Sequence, residues 1–162
     1  MPTSQRQKDA CDLLDADHKA VKKMFKDFDA LCASKARNAR QLRMRLAQEI
    51  CTELTVHAQI EEEIFYPALR AVLKETDLIA EAEVEHQTVK DLIAQIQAAD
   101  AADETFDAKV TVLGEYIDHH VKEERNQIFP QARAAKRLDL VTMRDELQAR
   151  KEELMEEQLA PA

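Results

Sequence analysis

An eleven-residue pattern occurs twice in this chain and limits its fold more than any other feature. Residues 57–67 read HAQIEEEIFYP and residues 120–130 read HVKEERNQIFP, so that each His is followed four residues later by Glu and ten residues later by Pro. On an α-helix, side chains four residues apart share one face, with Cβ atoms about 5–6 Å apart. Each copy therefore predicts two metal-ligating side chains, an imidazole and a carboxylate, on one helix face.

The composition indicates an all-α protein. The 162 residues include one Gly, four Pro and no Trp, so the residues that tight β-hairpins need are scarce. A net charge of −9 disfavours nucleic acid and anionic membranes as partners, because both select basic surfaces. No apolar run approaches the length of a membrane span, and the N-terminus lacks an apolar signal region. We therefore expect a cytoplasmic protein.

The cysteines do not suggest a disulfide framework. Cys11, Cys32 and Cys51 are odd in number and have no CxxC spacing. We interpret them as buried small apolar side chains.

Apolar residues recur every three or four positions in five segments, as on the inner face of bundle helices. The predicted helices span about 8–33, 39–74, from 76 or 77, from about 104, and about 139–157. Pro67 should bend the second helix, and Pro130 should bend or end the fourth. The fifth helix has a thin apolar stripe, so we expect it to pack outside the bundle or against a partner.

The first and third helices also match each other, since Asp17-His18 with Val21-Lys22 resembles Glu85-His86 with Val89-Lys90. The chain thus reads as two copies of one helical hairpin. This repeat predicts an antiparallel up-down four-helix bundle over residues 1–136 with pseudo-two-fold symmetry. Residues 137–162 would form a C-terminal helical extension, which is where we would expect any homo-oligomer contact.

Six residues with ligand chemistry fall at core-facing positions of the four bundle helices. A single buried His is commonly a satisfied core residue, but an unpaired buried carboxylate costs several kcal/mol or shifts its pKa. Imidazole and carboxylate without thiolate suit iron, manganese or zinc rather than copper(I). Two Glu can bridge two ions that each have two His, so two metals are the natural count. The six candidate ligands are His18, His57, Glu61, His86, His120 and Glu124.

These residues resemble the His…HxxxE…His…HxxxE pattern of the hemerythrin-like, HHE cation-binding family, over roughly residues 10–132. The resemblance implies a non-haem di-iron centre with an oxo or hydroxo bridge, with manganese or zinc less favoured. It also implies that the four His are terminal ligands and that Glu61 and Glu124 are the bridges. The oxygen carriers of the family have a fifth His four residues after the third-helix ligand, where this chain has Lys90. That departure argues against plain reversible oxygen carriage.

The resemblance implies binding of O₂, NO or peroxide, for sensing, storage or detoxification. Without the fifth His, the resemblance implies a metal with more open coordination. Such coordination is found in a branch of the family linked to nitric-oxide stress and to repair of iron–sulfur centres. The same ligands would also serve a peroxidase-like, catalase-like or oxidase enzyme, or an iron-storage protein. The sequence leaves these alternatives open.

Several residues next to the candidate ligands could also take part in the site. Asp15 and Glu83 each precede a candidate His by three residues, so they either accept a hydrogen bond from it or are exposed helix carboxylates. Tyr116 either lines a ligand pocket or packs in the core. His119 lies off the inner face of its helix and is expected to flank the site. Glu62, Glu63 and Glu123 also lie off the inner faces and are expected to be solvated.

Overall fold

The computed structural model describes residues 6–100 and 102–160, and their regular secondary structure is entirely helical. The α-helices are α1 (Ala10–Ala33), α2 (Ala39–Ile60), α3 (Tyr66–Val72), α4 (Asp77–Ala98), α5 (Phe106–Glu123), α6 (Phe129–Ala134) and α7 (Leu140–Leu159). Two π-helical turns, Glu61–Phe65 and Glu124–Ile128, join α2 directly to α3 and α5 directly to α6. The predicted all-α class is confirmed.

Side-chain caps fix where two of the helices begin. The Asp9 carboxylate accepts a hydrogen bond from the Asp12 N–H, and the Asp12 carboxylate accepts one from the Asp9 N–H. This reciprocal capping box satisfies backbone donors that the first turn of α1 leaves free. At the start of α7, the Asp139 carboxylate accepts from the Thr142 N–H. Thr76 precedes α4 as predicted, but its side chain makes no capping hydrogen bond.

The long helices form a four-helix bundle. Helix α1 packs against α2 and α4 packs against α5 as two hairpins, and the ring closes through contacts of α2 with α4 and of α1 with α5. Helix α7 lies outside this ring, along α1 and α2. It buries the apolar stripe predicted for it, which consists of Leu140, Met143, Leu147 and Leu154. The apolar stripe of α7 is therefore covered by other helices of the same chain.

The apolar core consists of two clusters with a layer of polar side chains between them. One cluster contains Leu14 and Ile60, and the other contains Val21 and Leu54. His18 follows Leu14 and precedes Val21 along α1, so it lies between the clusters. The candidate ligands on α2, α4 and α5 are likewise flanked by one member of each cluster. All six are buried.

The π-helical turns are a departure from the predicted regular helices. The Tyr66 N–H donates to the Glu61 carbonyl and the Phe129 N–H to the Glu124 carbonyl, each five residues back. Pro67 and Pro130 follow in the first turns of α3 and α6, where a missing N–H costs little. Pro130 does not end its helix, and π turns of this kind are frequent at functional sites.

The predicted burial of the cysteines is confirmed for two of the three. Cys11 and Cys51 are buried, and burial raises the pKa of each thiol to about 12. Cys32 is exposed, so its predicted burial is wrong.

Among the described residues, no helix is both long and apolar enough to cross a membrane.

Candidate metal centre

Four imidazoles form two facing pairs in the polar layer of the bundle. The Nε2 atoms of His18 and His57 lie 3.1 Å apart, and those of His86 and His120 lie 3.3 Å apart. The first pair comes from α1 and α2, and the second from α4 and α5. We call these pairs the first half and the second half of the centre.

Glu61 lies between the two halves of the centre. Its Oε1 atom is 3.1 Å from His57 Nε2 and 3.3 Å from His86 Nε2, which belong to different halves. The side chain is 0 % exposed, and among the described residues neither carboxylate oxygen forms a hydrogen bond. A buried carboxylate in this state is costly unless a cation compensates it. The donor set at Glu61 therefore fits a bound metal ion.

Glu124, from the opposite hairpin, also spans the halves, but with a different oxygen toward each. Its Oε1 is 3.3 Å from His18 Nε2, and its Oε2 is 3.2 Å from His120 Nε2. Burial opposes ionisation of this carboxyl, but the nearby imidazoles of His120 and His18 hold its pKa well below the usual value. Each Glu thus faces one His of each half, which is the arrangement that two bridging carboxylates require.

The ligand atoms form two overlapping sets that share Glu61. Within each set the atoms lie within 4.8 Å of one another. Separations near 3 Å are those expected around an ion with bonds of about 2.0–2.2 Å to nitrogen and oxygen. The sets are His18, His57, Glu61 and Glu124, and Glu61, His86 and His120.

Each imidazole also has a carboxylate near its other ring nitrogen. Such a partner fixes the tautomer and ring orientation and raises the basicity of the ligand. The Nδ1–carboxylate pairs are His57 with Asp17 (3.0 Å), His86 with Glu62 (3.4 Å), His18 with Asp15 (3.7 Å) and His120 with Glu85 (3.7 Å).

These carboxylates control the charge of the imidazoles. Burial opposes protonation of His57, but the negative charge of Glu61 and the hydrogen bond with Asp17 raise its pKa to about 10. Burial likewise opposes protonation of His120, but the nearby carboxylates of Glu124 and Glu85 raise its pKa to about 11. Because metal ligation requires neutral imidazole, a metal ion that enters this layer displaces protons.

The residues next to the ligands differ from several expectations. Asp15 lies beside His18, whereas Glu83 pairs with Arg70 at 2.9 Å and does not reach a ligand. The expectation that Glu62 is solvated is wrong, because its Oε2 faces His86 Nδ1 and its Oε1 accepts from Lys90 Nζ at 2.6 Å. The Lys90 ammonium is therefore held by a carboxylate that supports a ligand.

The other flanking residues lie near the surface. The His119 side chain is 73 % exposed, and Glu63 pairs with Arg150 of α7 at 2.7 Å. Glu123 is mostly buried rather than solvated, and burial together with the charge of Glu85 raises its pKa. Glu85, His119 and Glu123 form a third, outer group of potential ligand atoms.

Sequence reasoning missed Tyr66. Its hydroxyl donates to Glu124 Oε2 at 2.7 Å and lies 3.5 Å from the Nε2 atoms of both His86 and His120. Burial raises the pKa of this phenol well above its usual value, and the charge of Glu124 raises it further. A protonated hydroxyl therefore points into the second half. By contrast, Tyr116 is 43 % exposed, so its alternative as a core residue is wrong.

The comparison with family models decides the classification. The model of the Hemerythrin HHE cation binding domain matches residues 9–132, which include all six candidate ligands. The chain belongs to the hemerythrin HHE cation-binding domain family. The bundle and its inward-facing His and Glu residues are the part of the chain that this match covers, and α7 lies beyond it.

Two known proteins are similar to this HHE domain protein over different lengths. A crystal structure of a hemerythrin HHE cation binding domain-containing protein from Mycobacterium kansasii is 25% identical and has a TM-score of 0.76. The match covers 94% of this chain and 90% of that one. A DNA nickase from Nostoc sp. (strain PCC 7120) is 33% identical over 81 residues, or 50% of this chain. The matched part is only 23% of the nickase.

A solvent-open cavity of about 390 Å³ lies between α1 and α5 of the HHE bundle and reaches His18. A smaller cavity of about 20 Å³ touches all four ligand imidazoles, and the two cavities share Ile117 and Val121 as lining residues. The single glycine of the chain, Gly114, lies here, and a Cβ at this position would come within 3.1 Å of the Phe25 ring. The glycine thus gives the Phe25 ring room in the cavity wall.

Proposed function

We propose that this chain holds two iron ions between the halves of its HHE centre and binds O₂, NO or peroxide there. Two His would serve as terminal ligands in each half, and Glu61 and Glu124 would bridge the halves. The observation that carries this proposal is the fully buried, unpartnered Glu61 carboxylate, which faces one His of each half. Membership of a cation-binding family supports it independently.

Iron at this position would supply a Lewis acid that changes its oxidation state. The protein supplies everything else. Carboxylates within hydrogen-bond distance of Nδ1 would orient His57 and His86, through Asp17 at 3.0 Å and Glu62 at 3.4 Å. The Tyr66 hydroxyl offers a proton donor to the second half, at 2.7 Å from Glu124. The cavities beside His18, which share Ile117 and Val121 in their walls, leave room for a small molecule to approach.

Lys90 supports exchangeable ligand binding rather than plain oxygen carriage. It stands where the oxygen carriers of the family have an additional His, and its Nζ lies 2.6 Å from Glu62 Oε1. A charged ammonium held by a carboxylate does not coordinate a metal. We therefore propose a role in sensing, storage or detoxification, and we do not propose DNA as a substrate, since the net charge is −9.

Metal analysis combined with an optical spectrum of aerobically purified protein tests the proposal. We expect two iron atoms per chain and the near-ultraviolet absorption of a bridged diferric centre. One zinc atom per chain without this absorption would overturn the assignment.

Rapid mixing of the reduced protein with O₂ tests the role of the centre. We expect fast oxidation without a long-lived oxygenated form, because the second half lacks the additional His of the carriers. A stable oxygenated form that releases O₂ reversibly would return the chain to the carrier class.

A further inference from the structure

Three of the four carboxylates beside the ligand imidazoles are themselves held by a side-chain cation. In each contact a Lys Nζ atom or an Arg Nη atom lies within hydrogen-bond distance of a carboxylate oxygen. The three contacts are Lys90 with Glu62 (2.6 Å), Arg125 with Asp15 (2.7 Å) and Lys151 with Asp17 (2.6 Å). Lys90 and Arg125 belong to the stretch that the family model matches, whereas Lys151 lies on α7, beyond the end of that match at residue 132.

The contact between Lys151 and Asp17 extends directly to a ligand. Lys151 Nζ donates to Asp17 Oδ1, and the other oxygen of the same carboxylate lies 3.0 Å from His57 Nδ1. The Lys151 side chain is 26 % exposed and the Asp17 side chain 12 %. A charge-assisted contact in such a sheltered position is stronger than a surface ion pair.

The residue before Lys151 provides a natural contrast. Arg150 of α7 pairs with Glu63 at 2.7 Å, and Glu63 contacts no ligand imidazole. The two cations therefore anchor the same helix to the bundle, but only one of them reaches the centre through its carboxylate.

We propose that Lys151 is a positioning residue of the metal centre and that α7 sets the donor strength of His57 through Asp17. This inference rests on the proposed function, since it requires iron at His57. A carboxylate at Nδ1 makes an imidazole a stronger donor. The Lys151 ammonium competes for the negative charge of Asp17 and so moderates that effect.

The proposal fixes the direction in which the iron reduction potential moves. Without the Lys151 charge, Asp17 draws the Nδ1 proton more strongly, and His57 becomes a stronger donor that favours ferric iron. The midpoint potential should then fall. Without the Asp17 charge, His57 becomes a weaker donor and the potential should rise. A role of α7 in packing alone gives no reason for shifts of opposite sign.

The test is a spectroelectrochemical titration of the full-length, iron-loaded protein together with its iron content. We expect Lys151→Met, which retains most of the apolar stem, to lower the midpoint potential. We expect Asp17→Asn to raise it and to weaken iron retention. Lys151→Arg should restore a value near that of the wild type, because it returns the charge. Arg150→Met is the matched control on α7 and should leave the potential unchanged.

The outcomes separate this inference from the proposed function. If the wild-type protein does not hold two iron atoms, both the proposed function and the role of Lys151 are overturned. A wild-type protein with two iron atoms, but with an unchanged potential in Lys151→Met, overturns only the role of Lys151. An equal shift in Arg150→Met would assign the effect to packing of α7 and would also overturn it. Should Asp17→Asn fail to fold, the comparison of Lys151→Met, Lys151→Arg and Arg150→Met still decides.

Discussion

The two halves of the centre come from the same repeated hairpin, yet the aromatic residue before the proline differs between the copies. The residue before the proline is Tyr66 in the first copy and Phe129 in the second. The Phe129 ring stacks on His18 with centroids 6.0 Å apart and planes at 7°. The Tyr66 ring lies 5.4 Å from His86 and adds a hydroxyl that donates to Glu124. The repeat thus preserves the ligands while giving a proton donor to only one half.

The largest expected effect comes from removing one ligand of either half. His57→Ala and His120→Ala should each reduce the metal content from two ions to one or fewer per chain. Glu61 and Glu124 face both halves, so a loss in one half should also weaken binding in the other. Metal analysis of the purified variants measures this. Full occupancy in both variants would show that the ligand assignment is wrong.

Removal of the metal should have the next largest effect, on thermal stability. Two buried Glu and four buried His then share one layer without a metal ion. A ligand that binds only the folded state at 100 times its Kd stabilises that state by about 2.7 kcal/mol. We expect chelation to lower the melting temperature of the wild type and to have less effect on His57→Ala. Identical melting of the metal-free and metal-loaded protein would contradict this.

Tyr66→Phe makes the second half resemble the first. It removes a buried hydrogen bond to a charged carboxylate, so we expect a loss of about 1–3 kcal/mol in the free energy of unfolding. Metal content should persist, because the six ligands remain. Removal of the hydroxyl also leaves more room beside His86 and His120, so azide should bind more tightly. Denaturant unfolding and an optical azide titration measure the two effects.

Tyr116→Phe is the matched control for this experiment, since Tyr116 is exposed. It should change neither the free energy of unfolding nor the azide affinity. If Tyr66→Phe behaved like this control, the Tyr66 hydroxyl would contribute neither to the stability of the protein nor to ligand binding at the centre.

The smallest effect is expected from His119→Ala. The His119 side chain is exposed and lies 3.7 Å from Glu123, whereas its neighbour His120 faces the centre. Exposed ion pairs contribute about 0–1 kcal/mol, so metal content and melting temperature should stay close to the wild type. A loss of metal as large as that of His120→Ala would place the outer group, and not only the two halves, in the centre.

The helical period and the repeat made the shared burial of the six candidate ligands predictable, because both depend on one face of one helix at a time. The residues that the sequence did not reveal reach across helices. Asp17 is one position before His18, yet it supports His57 on α2. Glu62 lies within a π-helical turn, which has more residues per turn than the period of 3.6 assumes. The aromatic residue before Pro in both copies was the available signal for Tyr66.

The division of the apolar core has a consequence for folding cooperativity. The two clusters lie on opposite sides of the ligand layer, and the four helices that cross this layer carry all six candidate ligands together with the two π-helical turns. Native-state amide hydrogen exchange reports contiguous units that open together. With metal bound, both ends of the bundle should open as one unit, because opening either end disrupts shared ligands. In the metal-free protein, the end that contains Leu113 should exchange independently of the end that contains Leu147.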